Sequence, residues 1–182
     1  MIAAVAGLVV TGAVTGLNLV ILIVVLRRWR ELEAGAAGHG HGHSPGGIRA
    51  GDVLPPFSAQ TLDGVQVSRP GLRGREVLVG FFSLTCKACR DAVPPFAAHA
   101  ERLRASGGTT LAIVHGEAAD RSELAAALSA AADHVIAEDE EAGLTEWFGA
   151  ANYPSHAWYG PDGVVTAAGL GVSALQAEPA LP

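Results

Sequence analysis

The chain has 182 residues, about the length of one domain, and its composition of 49% hydrophobic and 16% charged residues excludes disorder throughout. The first 50 residues contain four arginines and two glutamates, whereas the remainder contains eight basic and sixteen acidic residues. A main domain with this acidic excess is a poor nucleic-acid binder, so we expect no nucleic acid among its partners.

The first predicted element is a membrane-spanning helix. The run from Ile2 to Leu26 contains no charged residue and would form a helix about 37 Å long, enough to cross a hydrocarbon core of about 30 Å. The run is longer than the apolar part of a cleavable signal peptide, and the arginines 27, 28 and 30 follow it. We therefore predict an uncleaved single-pass anchor with a basic flank over residues 1–30, placing the protein in the cell membrane.

The same segment bears on orientation and assembly. Positively charged residues beside a membrane helix usually stay in the cytoplasm, which favours a cytoplasmic domain here. Gly12 and Gly16 form a G-x-x-x-G pattern that lets two such helices approach closely. A homodimer through this pair is a prediction of the sequence.

A linker is predicted over residues 31–50. Residues 35–47 are Gly, Ala, His, Ser and Pro without apolar periodicity, which is typical of a flexible tether. His39, His41 and His43 alternate with glycine, and such tracts can bind a transition metal through imidazole nitrogen. A soluble spacer with incidental metal affinity is the favoured interpretation, because a tether fixes no coordination geometry.

Residues 51–182 are predicted to form an α/β domain. Short apolar runs that end at turn or polar residues indicate buried strands, and the segments between them have helical composition. The predicted strands are 77–82, 110–114, 134–137, 157–159 and 164–167, and the predicted helices are 86–106, 120–132 and 140–148. The alternation predicts parallel strands first and an antiparallel hairpin around residues 160–163 at the end.

The two cysteines of the chain, Cys86 and Cys89, form a single C-x-x-C between a predicted strand and a predicted helix. No second cysteine pair is present for a four-thiolate zinc site, so the spacing favours redox exchange. The helix N-terminus favours the thiolate form of Cys86, and Lys87 and Arg90 add positive charge that tunes it. We predict that Cys86 is the nucleophile and that Cys89, one turn deeper, is the resolving thiol.

Three segments carry a resemblance to known families. The segment from Val77 to Cys89, with Pro94 following, resembles the active-site segment of the thioredoxin superfamily, in which this proline kinks the helix. Residues 51–64 resemble the hairpin shared by TlpA-like thioredoxins and the AhpC/TSA group, and residues 153–163 resemble their cis-proline loop and hairpin. With the anchor included, the chain is most similar to membrane-anchored TlpA-like proteins of the MauD type.

This resemblance implies a thioredoxin-like fold, with a central mixed sheet flanked by helices, and a thiol-disulfide oxidoreductase. It implies that the Tyr153–Pro154 bond is cis and that Tyr153, Pro154 and Thr85 bind substrate. Exposed backbone beside such a bond can pair with an extended peptide. The implied partners are protein thiols and disulfides and a redox protein that recycles the dithiol, with neither metal nor other cofactor. It also implies an extracytoplasmic domain, whereas the arginines that follow the membrane segment favour a cytoplasmic one.

The sequence departs from the thioredoxin pattern around the cysteines. Thr85 stands where thioredoxins commonly have tryptophan, and the residues between the cysteines are Lys-Ala and not Gly-Pro. Reductases of the TlpA-like group often have an acid where this chain has Ala92, so proton transfer to the buried thiol is unexplained. The segment after Gly171 is short, which predicts a terminal helix of a turn or two.

Two other functions compete with thiol-disulfide exchange. A thiol peroxidase is consistent with the AhpC/TSA resemblance and with Ser83, which stands where peroxiredoxins keep a hydroxyl residue. However, Val79 occupies the position of the proline in the peroxidatic loop. A copper carrier of the Sco type is less consistent, because those proteins space their cysteines by three residues.

Overall fold

The computed structural model describes residues 47–139 and 143–176. The predicted anchor, its Gly12 and Gly16 pair and the histidines 39, 41 and 43 lie outside these residues. Within the two described ranges, no helix has the length and apolar character that membrane crossing requires.

The predicted alternation of strands and helices is confirmed in the described chain. The strands are β1 (Ser58–Gln60), β2 (Gln66–Ser68), β3 (Val77–Ser83), β4 (Thr109–His115), β5 (His134–Glu138), β6 (Ser155–Tyr159) and β7 (Val165–Leu170). The helices are α1 (Arg69–Leu72), α2 (Lys87–Ala105), α3 (Glu123–Ser129), α4 (Leu144–Trp147) and α5 (Val172–Gln176), with a 3₁₀ turn at Ala119–Arg121.

A five-stranded mixed sheet organises the domain, in the order β5-β4-β3-β6-β7. The β3–β4 and β4–β5 pairs are parallel, whereas β3–β6 and β6–β7 are antiparallel. The hairpin of β1 and β2 forms a separate two-stranded sheet. Parallel strands therefore come first and an antiparallel hairpin comes last, as the sequence predicted.

Strand β3 lies in the middle of the sheet, and all seven of its residues are buried. Successive side chains of a strand point to opposite faces, so β3 supplies both halves of the core. Phe81 packs with Phe148 on one face, and Phe82 packs against Phe96 of α2 on the other. A strand buried on both faces reads as a continuous apolar run, which explains why the sequence located it.

Two predicted helices differ from the observed ones. The predicted helix 120–132 is a 3₁₀ turn followed by α3, because Ser122 has extended backbone and its Oγ accepts a hydrogen bond from the Ala125 N–H at 3.0 Å. Serine in this role begins a helix. In the predicted helix 140–148, the described part begins only at Leu144, after Gly143 with φ of +65°. The short terminal helix is α5.

Candidate redox site

Cys86 lies where the central strand gives way to the longest helix. It is the N-cap of α2, with φ −94° and ψ 107°, and its side chain makes no capping hydrogen bond. The residue is partly exposed and both cysteines are free thiols. Cys86 therefore lies at the positive end of the α2 helix dipole.

Cys89 lies one turn into α2 and is completely buried. The Ser83 N–H donates a hydrogen bond to Cys89 Sγ at 3.4 Å, and the Cys89 N–H donates to the Cys86 carbonyl at 3.1 Å. The pKa of Cys89 is raised to about 12, mainly by burial and, to a smaller extent, by a hydrogen bond with the Cys86 thiol. Cys89 is therefore a protonated thiol at neutral pH, whereas Cys86 is the sulfur that a reactant can reach.

The predicted side chains around the cysteines are solvent-facing. Thr85 is exposed and shares a hydrogen bond with the Ser83 hydroxyl at 3.1 Å. Lys87 and Arg90 are exposed on the first turn of α2, beside Cys86. Their roles in substrate binding and in tuning Cys86 stay predictions.

The Tyr153–Pro154 bond is cis, as the resemblance implied. The register that pairs Phe81 with Ser155 places Pro154 level with the end of β3, the strand that leads to Cys86. The Pro154 carbonyl accepts a hydrogen bond from the Gly171 N–H at 2.8 Å. Within ranges 47–139 and 143–176, no backbone group pairs with the N–H or C=O of Tyr153.

A row of polar residues crosses the sheet at the same end, and the sequence analysis did not identify it as part of the site. Ser83, His115 and Glu138 are register partners at the carboxyl ends of β3, β4 and β5. The Tyr153 ring stacks on His115, with centroids 5.8 Å apart and planes 10° apart. The available signal was polar residues directly after apolar strands, because such ends meet at one edge of a parallel sheet.

His156, two residues after the cis-proline, lies away from this row. Its ring is completely buried and packs against Phe82 and Phe96. In the described chain neither ring nitrogen has a hydrogen-bond partner. Burial lowers the pKa of His156 to about 4, with a smaller contribution from His99. At neutral pH His156 is therefore an uncharged residue of the core.

The described residues offer no cluster suited to a metal ion. Three or more His, Cys, Asp or Glu side chains do not converge anywhere in ranges 47–139 and 143–176. The three histidines of the predicted linker lie outside those ranges.

Comparison with known proteins agrees with this geometry. The profile of the AhpC/TSA family matches residues 50–168. A Bacillus subtilis (strain 168) protein, thioredoxin-like protein YneN, is 35% identical over 68 residues, which is 37% of this chain and 38% of that relative. The match thus spans well under two thirds of the relative's length.

Solved structures share the fold. The thioredoxin domain of a thiol-disulfide oxidoreductase from Bacteroides vulgatus superimposes with a TM-score of 0.60 at 20% identity, over 70% of this chain and 93% of that one. A thiol:disulfide interchange protein of the thioredoxin family from Chlorobium tepidum gives 0.56 at 21% identity, over 71% and 96%. The domain has the thioredoxin-like fold, and the chain belongs to the AhpC/TSA family.

Proposed function

We propose that this domain is a thiol-disulfide oxidoreductase that acts on protein dithiols and disulfides through Cys86 and Cys89. The observation that carries the proposal is the asymmetry of the pair: Cys86 is reachable at a helix N-terminus, and Cys89 is buried, protonated and hydrogen-bonded to it. A reachable thiol beside a buried partner is suited to exchange through a mixed disulfide. The names of the similar structures are consistent with this activity.

In the reductive direction, the Cys86 thiolate attacks one sulfur of a substrate disulfide. A bond forms between Cys86 and that sulfur, and the other substrate sulfur leaves as a thiolate and takes a proton. Cys89 then loses its proton and attacks Cys86 Sγ, which releases the second substrate thiol. Two electrons have passed to the substrate, and the Cys86–Cys89 disulfide is reduced again by an external dithiol protein. The reverse sequence oxidises a substrate dithiol.

The substrate backbone is expected to lie along Tyr153. Its unpaired N–H and C=O can add an extended peptide by main-chain hydrogen bonds, while Pro154 fixes the course of the loop. Thr85, exposed on the approach to Cys86, is the side chain proposed to contact the peptide from the other side.

The test is to trap the mixed disulfide. The full chain carrying Cys89→Ala is expressed, quenched in acid and alkylated, and its adducts are separated on a non-reducing gel. Adducts with other proteins are expected, and they should vanish when Cys86→Ser is added. Absence of any Cys86-dependent adduct would contradict the proposal.

The peroxidase alternative is separated by its cysteine requirement. Family membership alone does not distinguish the two activities. Insulin reduction should need both cysteines, whereas peroxide consumption should need only Cys86. Retained peroxide consumption in Cys89→Ala, without insulin reduction in the unchanged protein, would favour the peroxidase.

We also propose that residues 2–26 anchor the protein and that the domain lies outside the cytoplasm. The length of the uncharged run supports the anchor, and the resemblance to the MauD type supports this side against the basic flank. Protease added to intact spheroplasts should digest an outward domain. Protection of the domain until the membrane is lysed would place it in the cytoplasm.

A further inference from the structure

Glu138 is a carboxylate that the proposed exchange chemistry does not use directly. It is only 2% exposed at the end of β5. Both of its carboxylate oxygens accept a hydrogen bond from the Thr145 N–H, at 3.0 Å each, and one also accepts from the Thr145 hydroxyl. Burying a carboxylate is costly unless it is hydrogen-bonded. The hydrogen bonds between Glu138 and Thr145, called the bracket below, therefore hold the start of α4 in place.

Thr145 connects this bracket to the segment that leads to the cis-proline. The Thr145 carbonyl accepts a hydrogen bond from the Ala150 N–H at 3.1 Å. Residues 150–153 then run directly into Pro154. The Thr145 hydroxyl, which donates to Glu138, also lies close enough to the Tyr153 phenol to influence its pKa.

The Tyr153 side chain is held from two sides. Its ring stacks on His115, which is the register partner of Glu138. Burial raises the pKa of Tyr153, the Thr145 hydrogen bond lowers it, and the charges of Glu138 and Cys89 raise it further. The phenol is thus protonated at neutral pH and lies in the electric field of Glu138.

We propose that Glu138 is a positioning residue for substrate: through Thr145 it holds Tyr153 so that the Tyr153 backbone is preorganised to pair with a peptide. Preorganisation lowers the entropy lost on binding, so its effect should appear as affinity for the peptide. The proposal rests on the proposed exchange function. Among the described residues no hydrogen bond joins Glu138 to either cysteine, so its action passes through the loop.

The experiment compares Glu138→Gln and Thr145→Val with the unchanged full chain. Each removes one member of the bracket, and we expect KM for a disulfide-containing peptide to rise by about three- to tenfold, as for one lost hydrogen bond. We expect kcat to stay the same, along with the rate at which Cys86 reacts with a small aromatic disulfide. Thr145→Ser, which keeps the hydroxyl, should restore KM, and Glu146→Gln on the exposed side of α4 is the matched control.

A second measurement reports on the loop without any turnover. Amide hydrogen exchange of Ala150, whose N–H donates to the Thr145 carbonyl, should be faster in Glu138→Gln than in Glu146→Gln. If KM and this exchange are both unchanged, the proposal is wrong. It is also wrong if Glu138→Gln alters the pH dependence of the reaction between Cys86 and the small disulfide, because Glu138 would then act on the thiol directly.

The two proposals fail in different ways. Absence of Cys86-dependent peptide turnover in the unchanged protein would overturn the exchange function. Hydrogen exchange would then still decide whether Glu138 positions residues 150–153.

Discussion

The backbone N–H of Ser83 donates a hydrogen bond to Cys89 Sγ at 3.4 Å, joining the end of the central strand to the buried thiol. This bond favours the thiolate of Cys89, but burial and the neighbouring Cys86 thiol outweigh it and raise the pKa of Cys89 to about 12. The buried sulfur therefore has a preformed partner for the charge it acquires when it attacks the mixed disulfide.

The raised pKa of Cys89 predicts a stability change in the reduced protein. The unfolded chain loses the Cys89 proton near pH 9.0, whereas the folded protein keeps it to about pH 12. The unfolded state then binds fewer protons, so the free energy of unfolding should fall as pH rises above 9, by up to about 1.4 kcal/mol per pH unit. Urea unfolding between pH 9 and 10 measures this slope.

Cys89→Ala is the control for that slope. The pKa values of Tyr153 and Tyr159 are also raised, but these tyrosines affect the slope mainly above their ordinary value of 10.0. Both tyrosines are present in the two proteins, so the difference between their slopes from pH 9 to 10 isolates the thiol. Equal slopes in Cys89→Ala and in the unchanged reduced protein would contradict the assignment.

His156 predicts a loss of stability on acidification. Its folded pKa is lowered to about 4 from 6.5, so between these values the unfolded chain binds a proton that the folded protein does not. The free energy of unfolding should fall as pH decreases through this interval, by up to about 1.4 kcal/mol per unit. His156→Phe should flatten this dependence, as measured by urea unfolding from pH 7 to 4.

The same variant should not weaken the protein at pH 7. Phenylalanine keeps a ring against Phe82 and Phe96 and removes two buried nitrogens that have no partner in the described chain. An unsatisfied buried polar group costs about 1–3 kcal/mol, so stability at pH 7 should be equal or higher. A large loss at pH 7 would show that the histidine makes a contact that phenylalanine cannot replace.

The hydrogen bonds around Asp133 are expected to contribute to the free energy of unfolding. Its carboxylate accepts hydrogen bonds from the Thr110 N–H at 2.9 Å, the Thr110 hydroxyl at 2.8 Å and Arg104 Nε at 2.6 Å. Burial opposes ionisation, but these donors outweigh it and lower the pKa of Asp133. Asp133→Ala should cost about 1–3 kcal/mol in urea unfolding at pH 7, because buried donors lose their acceptor.

A matched surface change provides the comparison. Asp120 forms an ion pair with Arg121 at 3.3 Å, and both side chains are largely exposed. Asp120→Ala should change stability by less than about 1 kcal/mol. Similar losses in both aspartate variants would mean that the Asp133 network contributes no more than an exposed pair.

Gly80 predicts a steric requirement inside the central strand. A Cβ there would lie 2.7 Å from ring atoms of Phe82 and of Phe96, and both rings are completely buried. Gly80→Ala should lower the free energy of unfolding by about 1–3 kcal/mol. Gly71→Ala is the control, because its Cβ would meet only Ser68 Oγ at 3.8 Å. Equal stability of the two variants in urea would contradict the steric argument.

The sequence predicted the elements whose signals are local. The apolar run of β3, the position of Cys86 and Cys89 and the final hairpin all follow from residues close together in the chain. The start of α3 was predicted too early because Ser122 was not recognised as its N-cap. Capping depends on one side-chain hydrogen bond, which composition does not reveal.

The polar row at the sheet edge was beyond local patterns. Glu138 joins the site only because the register of three strands sets it beside His115 and because Thr145 returns to it from α4. Such contacts depend on strand order, and the sequence supplied the strands without their alignment. The burial of His156 could not be predicted from nearby residues either, because the rings that cover it come from β3 and α2.

The hydrogen bond from the Gly171 N–H to the Pro154 carbonyl has a mechanical consequence for the two halves of the site. After Gly171 the chain enters α5, where the Leu175 carbonyl pairs with the His99 ring on α2. The cis-proline segment and the cysteine-bearing helix are thus connected through five residues, 171–175. A shift of α2 around His99 would therefore be transmitted to the Pro154 carbonyl, and with it to the cis-proline loop, through these residues.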